Sequence, residues 1–238
     1  ITMGMAAWGN PIYVDYLRDR SIADAEACLF KENLHTGFGE LLPGACAEDI
    51  AASAQVLTEE LLSNIMRRAR KLGSSSNLVY SGGVALNCLA NRLWGNYFDN
   101  IWIMPNPGDA GSSLGAAALA LGSRINWTNA YLGHNIPGAY PVNDILDELV
   151  TKQIVGVASG RAEFGPRALG NRSLLADPRG KEIKEKVNDI KRRQQFRPFA
   201  PVILEELADQ YFDMPRGWNN SRYMQTIAPC RNPELFPA

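Results

Sequence analysis

Residues 77–94 read NLVYSGGVALNCLANRLW, and residues 101–121 read IWIMPNPGDAGSSLGAAALAL. Each opens on a short apolar run of strand length, 77–80 and then 101–104. Each then passes through a glycine-bearing turn, at 81–83 and at 105–109. A helix-compatible segment follows in both, at 84–94 and at 110–121, the second rich in small residues. Strand, glycine turn and helix in immediate repetition predict an α/β layer with parallel strands.

Upstream, residues 46–72 give the clearest helix signal. Ile50, Ala54, Leu57, Leu61, Ile65 and Ala69 recur every three or four positions and form one apolar stripe. Glu48 and Asp49 at its start, and Arg67, Arg68, Arg70 and Lys71 at its end, match the helix dipole. Gly73 is the expected stop. No chemistry is assigned to this helix. Residues 1–44 read as loop-rich with aromatic patches at Tyr13, Tyr16, Phe30 and Phe38.

Downstream, residues 122–141 are irregular and carry Gly133, Pro137, Gly138 and Pro141, which sets the expected division at 1–130 and 131–238. Residues 144–152 read as helix, 154–158 as a core strand, and 177–180 (DPRG) as a type I turn. Residues 181–191 read as a surface helix with Ile183, Val187 and Ile190 on one side.

The 238 residues hold 46% apolar and 21% charged side chains, with 21 Gly and 14 Pro. That composition excludes collagen, coiled-coil and disordered classes. A net charge of −1 supplies no overall field to attract nucleic acid or an anionic membrane. Four dispersed cysteines without a CxxC pair fit reduced thiols in the cytoplasm. No apolar run is long enough for a bilayer span, and no signal-peptide pattern opens the chain. The first residue is Ile rather than Met, so the text reads as an interior piece of something longer.

Two stretches carry the candidate chemistry. In an open α/β sheet, ligands bind beyond the carboxyl ends of the strands. Gly82 and Gly83 allow close backbone approach there, and their N–H groups favour an anion. Asn87 offers a hydrogen bond to a ribose or base edge. Asp109 is an acceptor or hard metal ligand. Gly111 and Gly115, four apart, leave a bare helix face for a flat ligand. Close packing is the competing use of every one of these glycines, and neither a P-loop nor a GxGxxG pattern is present.

The second stretch is basic: residues 160–197 hold eleven cations against five acids, in a chain of net −1. Arg167 and Arg172 lie among Gly165, Pro166 and Gly170, and Arg197 lies between Phe196 and PFAP (198–201). Glycine and proline specify a backbone there, and planar guanidinium donors suit phosphate or carboxylate. Structural ion pairing is the alternative. Lys181, Lys184 and Lys186 alternate with Glu182 and Glu185 and read as a solvated face. An RNA surface would need exposed aromatic platforms, whereas Phe164, Phe196 and Phe199 are expected to be buried. His35 and His134 stand ninety-nine residues apart and suggest no site.

Five segments, MGMAAWGNPIY (3–13), SGGVALNCLANR (81–92), NPGDAGSSLGAA (106–117), GRAEFGPRALGNRSLLADPR (160–179) and KRRQQFRPFAP (191–201), resemble the NodU/CmcH family of O-carbamoyltransferases. The resemblance implies the second half of an actin-like ATPase (Kae1-like) domain followed by part of an α+β YrdC-like domain. It implies a reaction in two steps: carbamoyl phosphate and ATP give carbamoyl adenylate, and the carbamoyl group then passes to a hydroxyl of a small-molecule acceptor, with Fe2+ or a similar divalent metal. By the same resemblance, Gly82, Gly83 and Asn87 contact the adenylate and Asp109 is a metal ligand. Arg167, Lys191 and Arg197 hold carbamoyl phosphate and the ATP phosphates, with Arg172 a weaker member of that set. From its position alone, Lys191 reads as compensation of a helix C-terminus.

The family's HxxxH pair and its early phosphate-loop segment are missing from these 238 residues. Asp109 alone cannot hold a metal that needs four to six ligands. The alternative reading is a nucleotide- or RNA-binding module related to tRNA threonylcarbamoyladenosine synthesis, without complete chemistry. The acceptor is not legible, nucleic acid and membrane are not expected as partners, and a homodimer is allowed.

Overall fold

A computed structural model describes residues 1–37 and 42–236. It opens on the one-turn helix α1 (Thr2–Met5), a 3-10 turn at Ala6–Trp8, helix α2 (Val14–Ser21) and a small antiparallel ribbon, β1 (Ile22–Asp24) with β2 (Leu29–Phe30). The loop-rich expectation for this region is therefore corrected; Phe38 lies outside the described residues. The order comes from the long helix α3 (Ala47–Leu72), on which Leu17 and Ile22 bury themselves against Leu57 and Leu61. Gly9 lies so close to α3 that a Cβ would stand 2.1 Å from the Glu48 carbonyl oxygen.

The stripe on α3 is rotated from the expected one at its far end: Ile65 is exposed, and Met66 is buried with Ala90, Trp94 and Phe98. Gly73 ends the helix in an extended conformation (φ −114°, ψ 144°) rather than a left-handed cap. From there the chain runs toward β3 (Asn77–Tyr80).

The parallel pair is present. β3 aligns with β4 (Asn100–Ile103) in the register Asn77↔Asn100 to Tyr80↔Ile103. The crossover between them is not the single helix expected over 84–94. It breaks into a 3-10 turn (Gly83–Leu86), the one-turn helix α4 (Cys88–Asn91) and a second 3-10 turn (Trp94–Asn96). Two asparagines cause the breaks, because side-chain amides offer the backbone other partners. Asn87 leaves helical geometry and caps α4, its Oδ1 accepting from Ala90 N at 3.1 Å. Asn91 is fully buried; its Nδ2 donates to the carbonyls of Ala85 and Gln225 at 2.8 Å each, and its Oδ1 accepts from Trp94 Nε1 at 3.0 Å.

After β4, a 3-10 turn (Asp109–Gly111) leads into α5 (Ser112–Leu121), which Gly122 closes at φ +62° with its N–H on the carbonyls of Ala118 and Leu119. Then come β5 (Asn135–Ile136), α6 (Val142–Lys152), β6 (Ile154–Ala158), β7 (Gly160–Arg161), β8 (Arg172–Ala176), α7 (Ile183–Ile190) and α8 (Ala208–Tyr211). β5 pairs with β7 and β6 with β8, both antiparallel. The whole is a mixed α/β arrangement of short sheets.

The C-terminal part also feeds the core around the parallel pair. Trp218 packs with Ala85 and Ile103, and its Nε1 donates to the Asn91 carbonyl at 3.1 Å.

Candidate anion site

The glycine turn lies at the carboxyl end of β3. Gly82 has φ +109°, a conformation glycine alone adopts without strain. Its N–H, expected to face an anion, instead donates to the Pro107 carbonyl at 2.8 Å, and Ser81 Oγ donates to the same oxygen at 3.2 Å, so the two glycine turns are tied together. No atom lies within 4 Å of where a Cβ would stand on Gly82 or Gly83, which leaves the space above both open.

The other residues of this stretch are placed differently. The Asn87 amide, besides capping α4, exchanges two hydrogen bonds with Gln55, at 2.9 and 3.2 Å. Gly111 is buried, and a Cβ on it would stand 1.8 Å from the Asn106 carbonyl oxygen; close packing requires this glycine. Gly115 faces open space. Asp109 is exposed at the start of its turn, and among the described residues no three His, Cys, Asp or Glu side chains come together to hold a metal.

The three candidate arginines also separate. Arg172 directs Nη1 to the carbonyls of Ser159 (2.8 Å) and Asn171 (2.7 Å), and Nη2 to those of His134 (3.1 Å) and Gly160 (3.3 Å). It ties the β5–β7 ribbon to β8. Arg167 is half-buried; its Nη2 donates to the Leu86 carbonyl at 3.2 Å and its Nε is buried without a partner. Arg197 is half-buried, and among the described residues neither it nor Arg167 pairs with a carboxylate. Burial, and then the neighbouring Arg197 charge, lower the pKa of Arg193, so two cations share one locality. Lys191 is exposed just beyond α7.

The loops bearing these arginines meet the glycine turn through a chain of contacts. Gly165 is wedged beneath the second turn, where a Cβ would stand 2.9 Å from the Pro105 carbonyl oxygen. Cys88, one position past Asn87, lies 3.8 Å from the sulfur of Met3, and a Cβ on Gly4 would pack 3.6 Å from the Phe196 ring. Burial raises the pKa of the Cys88 thiol, with the Arg167 charge pulling the other way. Segments 3–4, 81–88, 105–109, 165–167 and 196–198 are thus linked in a chain of neighbours. The Phe199 ring, expected to be buried, is 41% exposed and lies 4.3 Å from the Arg193 guanidinium. Two recesses lie apart from this convergence: one of about 450 Å³ along α3 (Glu59, Glu60, Asn64, Arg67), and one of about 240 Å³ between β4 and residues 217–225.

Two organising residues escape a reading of the sequence. Asn188 is fully buried; it accepts from Arg193 Nε at 2.6 Å and donates to the carbonyls of Gln195 (3.3 Å) and Arg197 (3.2 Å), shaping the loop of KRRQQFRP. Its signal was a polar residue bordering the apolar side of α7, immediately before the cations. Glu163 accepts three backbone N–H groups from its own loop. Nothing in the sequence separates it from an ion-pairing acid.

The site thus combines one open glycine turn, at Gly82–Gly83, with two half-buried arginines, Arg167 and Arg197, that pair with no carboxylate among the described residues of an α/β protein. Comparison with known proteins narrows the class. Residues 10–118 match the carbamoyltransferase N-terminus family and residues 146–235 the carbamoyltransferase C-terminus family. The nodulation protein NolO of Bradyrhizobium diazoefficiens is 35% identical over 212 residues, 77% of this chain and 39% of that protein. Nodulation protein U of Azorhizobium caulinodans is 35% identical over 206 residues, 78% of this chain and 36% of that protein. An uncharacterised Synechocystis protein is 33% identical across 99% of this chain and 47% of its own length. The chain belongs to the NodU-type carbamoyltransferase family, and it spans less than half the length of these curated relatives.

Proposed function

We propose that this chain supplies the phosphate-holding part of an ATP-dependent O-carbamoyltransferase, with residues 1–130 from a Kae1-like domain and 131–238 from a YrdC-like one. In the proposed reaction water cleaves the carbamoyl donor to carbamate and phosphate, the carbamate oxygen attacks the α-phosphorus of ATP, and pyrophosphate departs to leave carbamoyl adenylate. An acceptor hydroxyl then takes the carbamoyl group and AMP departs. The supporting observation is that Arg167 and Arg197 are half-buried and free of carboxylate partners among the described residues: Arg167 donates to the Leu86 carbonyl just past the open Gly82–Gly83 turn, and the Arg197 loop reaches Cys88 through Gly4 and Met3.

Arg167 and Arg197, with Lys191 at the edge, would neutralise charge on the donor and on the departing pyrophosphate, a positioning and electrostatic role. Gly82 and Gly83 would admit the nucleotide against bare backbone. Arg172 is left out of this set because its donors are committed to four carbonyls. The residues present do not fit an iron-type metal, since among the described residues no three His, Cys, Asp or Glu side chains gather at Asp109 or elsewhere. Four free thiols support a cytoplasmic setting.

The test is carbamoyl-phosphate-dependent ATP–pyrophosphate exchange in the full-length protein. Arg197→Ala and Arg167→Ala should each slow exchange by about 10²-fold, as loss of one transition-state donor does. Unchanged exchange in both variants overturns the assignment.

A further inference from the structure

We propose that Glu163, backed by Tyr131 and Tyr140, is the positioning device that holds Arg167 at the glycine turn. The proposal rests on the anion-binding reading of Arg167 given above.

Residues 162–171 form the loop between β7 and β8, and its far end would leave three backbone donors without strand partners. One oxygen of Glu163 accepts all three: Leu169 N at 2.8 Å, Asn171 N at 2.9 Å and Arg172 N at 3.2 Å. From the facing segment, Tyr131 donates its hydroxyl to the Leu169 carbonyl at 2.9 Å and Tyr140 to the Gly170 carbonyl at 3.0 Å. Five hydrogen bonds therefore pin 169–172. Two residues before Arg167, Gly165 is pressed against the Pro105 carbonyl with no room for a side chain. Arg167 stands midway between these two fixed points.

What these bonds omit matters as much. None of them reaches Arg167, and Glu163 forms no ion pair among the described residues. An acid in an arginine-rich stretch ordinarily neutralises an arginine. Here it orders the backbone instead, so the loop is rigid while the guanidinium keeps its charge and a free buried N–H for a ligand. Burial alone would push Glu163 up, but the backbone donors outweigh it and its pKa lies below the usual glutamate value. It is ionised at neutral pH.

The experiment is a double-mutant cycle on the full-length protein, with inorganic phosphate as the probe and its dissociation constant as the readout. Glu163→Ala, which removes the accepting oxygen, should weaken phosphate binding about tenfold when Arg167 is present, and less than twofold in the Arg167→Ala background. An equal loss in both backgrounds makes Glu163 merely structural and overturns the proposal, as does no loss in either. If Arg167→Ala alone leaves phosphate affinity untouched, the anion-binding reading fails, and the positioning role with it. Should Glu163→Ala fail to fold, Tyr131→Phe, which deletes a single hydroxyl, replaces it with an expected loss of two- to threefold under the same criteria.

Discussion

Arg167 lies in the loop before β8 and Arg172, five positions on, opens that strand, and the fold uses them in opposite ways. Arg172 spreads its donors over four backbone carbonyls, whereas Arg167 keeps one buried N–H unmatched. From the sequence the two are indistinguishable, because the carbonyls that occupy Arg172 come from residues 134, 159, 160 and 171, placed only by the ribbon pairing. Among the described residues, the other buried side-chain polar atom without a partner is the Tyr80 hydroxyl, which lies behind the glycine turn with its ring edge-on to Trp94 at 5.9 Å. Burial pushes its pKa up to about 12, above the ordinary tyrosine value of about 10. A raised folded-state pKa means stability is complete below pH ~10 and is lost as pH climbs through about 12, since unfolding lets the phenol ionise. Tyr80→Phe removes an unsatisfied hydroxyl at little cost in packing. Thermal denaturation of the full-length protein should show a Tm equal to or above the parent's at pH 7, with the alkaline decline reduced. A fall of several degrees at pH 7 would mean the hydroxyl has a partner.

Between β3 and β4 the sequence pattern and the fold part company. The strands, the glycine turns, α3 and α7 were all legible, because apolar spacing and turn residues act locally. The broken crossover was not, because Asn87 and Asn91 have helix-compatible neighbours and find their decisive partners far away, Gln55 for one and Gln225 for the other. The same distance effect shifted the buried side of α3 from Ile65 to Met66, where Trp94 waits. For Asn87 the geometry gives a sharp expectation. Asn87→Ala removes the cap of α4 and a partner of Gln55, a cost of about 1–2 kcal/mol, while Asn87→Asp keeps the capping oxygen. Differential scanning calorimetry should show a Tm drop of roughly 2–4 °C per kcal/mol for the alanine variant and a smaller one for aspartate. If instead exchange activity collapses in Asn87→Ala with Tm unmoved, the amide serves the nucleotide rather than the helix.

At the scale of the molecule, the two matched family regions share one interior rather than resting against each other. Asn91, from the first region, is held by the Gln225 carbonyl of the second; Gln225 Nε2 in turn donates to the carbonyls of Ile103 (2.6 Å) and Met104 (3.1 Å) at the end of β4; Trp218 completes the cluster with Ala85 and Ile103. Gly95 and Gly217 let the backbones meet, since a Cβ on Gly95 would fall 1.6 Å from the Arg216 carbonyl oxygen. This junction sits behind the parallel pair whose carboxyl ends carry the glycine turns, so its order bears on the anion site through β3 and β4. Asn91→Ala strips Trp94 Nε1 and two carbonyls of their partner in a fully buried place, costing on the order of 3 kcal/mol. Because the bonds cross between the regions, the loss should spread to both. Native-state hydrogen exchange should therefore speed up in β3 and β4 and in residues 217–226 together, by comparable factors. Acceleration confined to residues 85–96 would show that the regions open independently, and the glycine turn and the arginine loops would then be joined only through Arg167, Gly165 and the N-terminal segment.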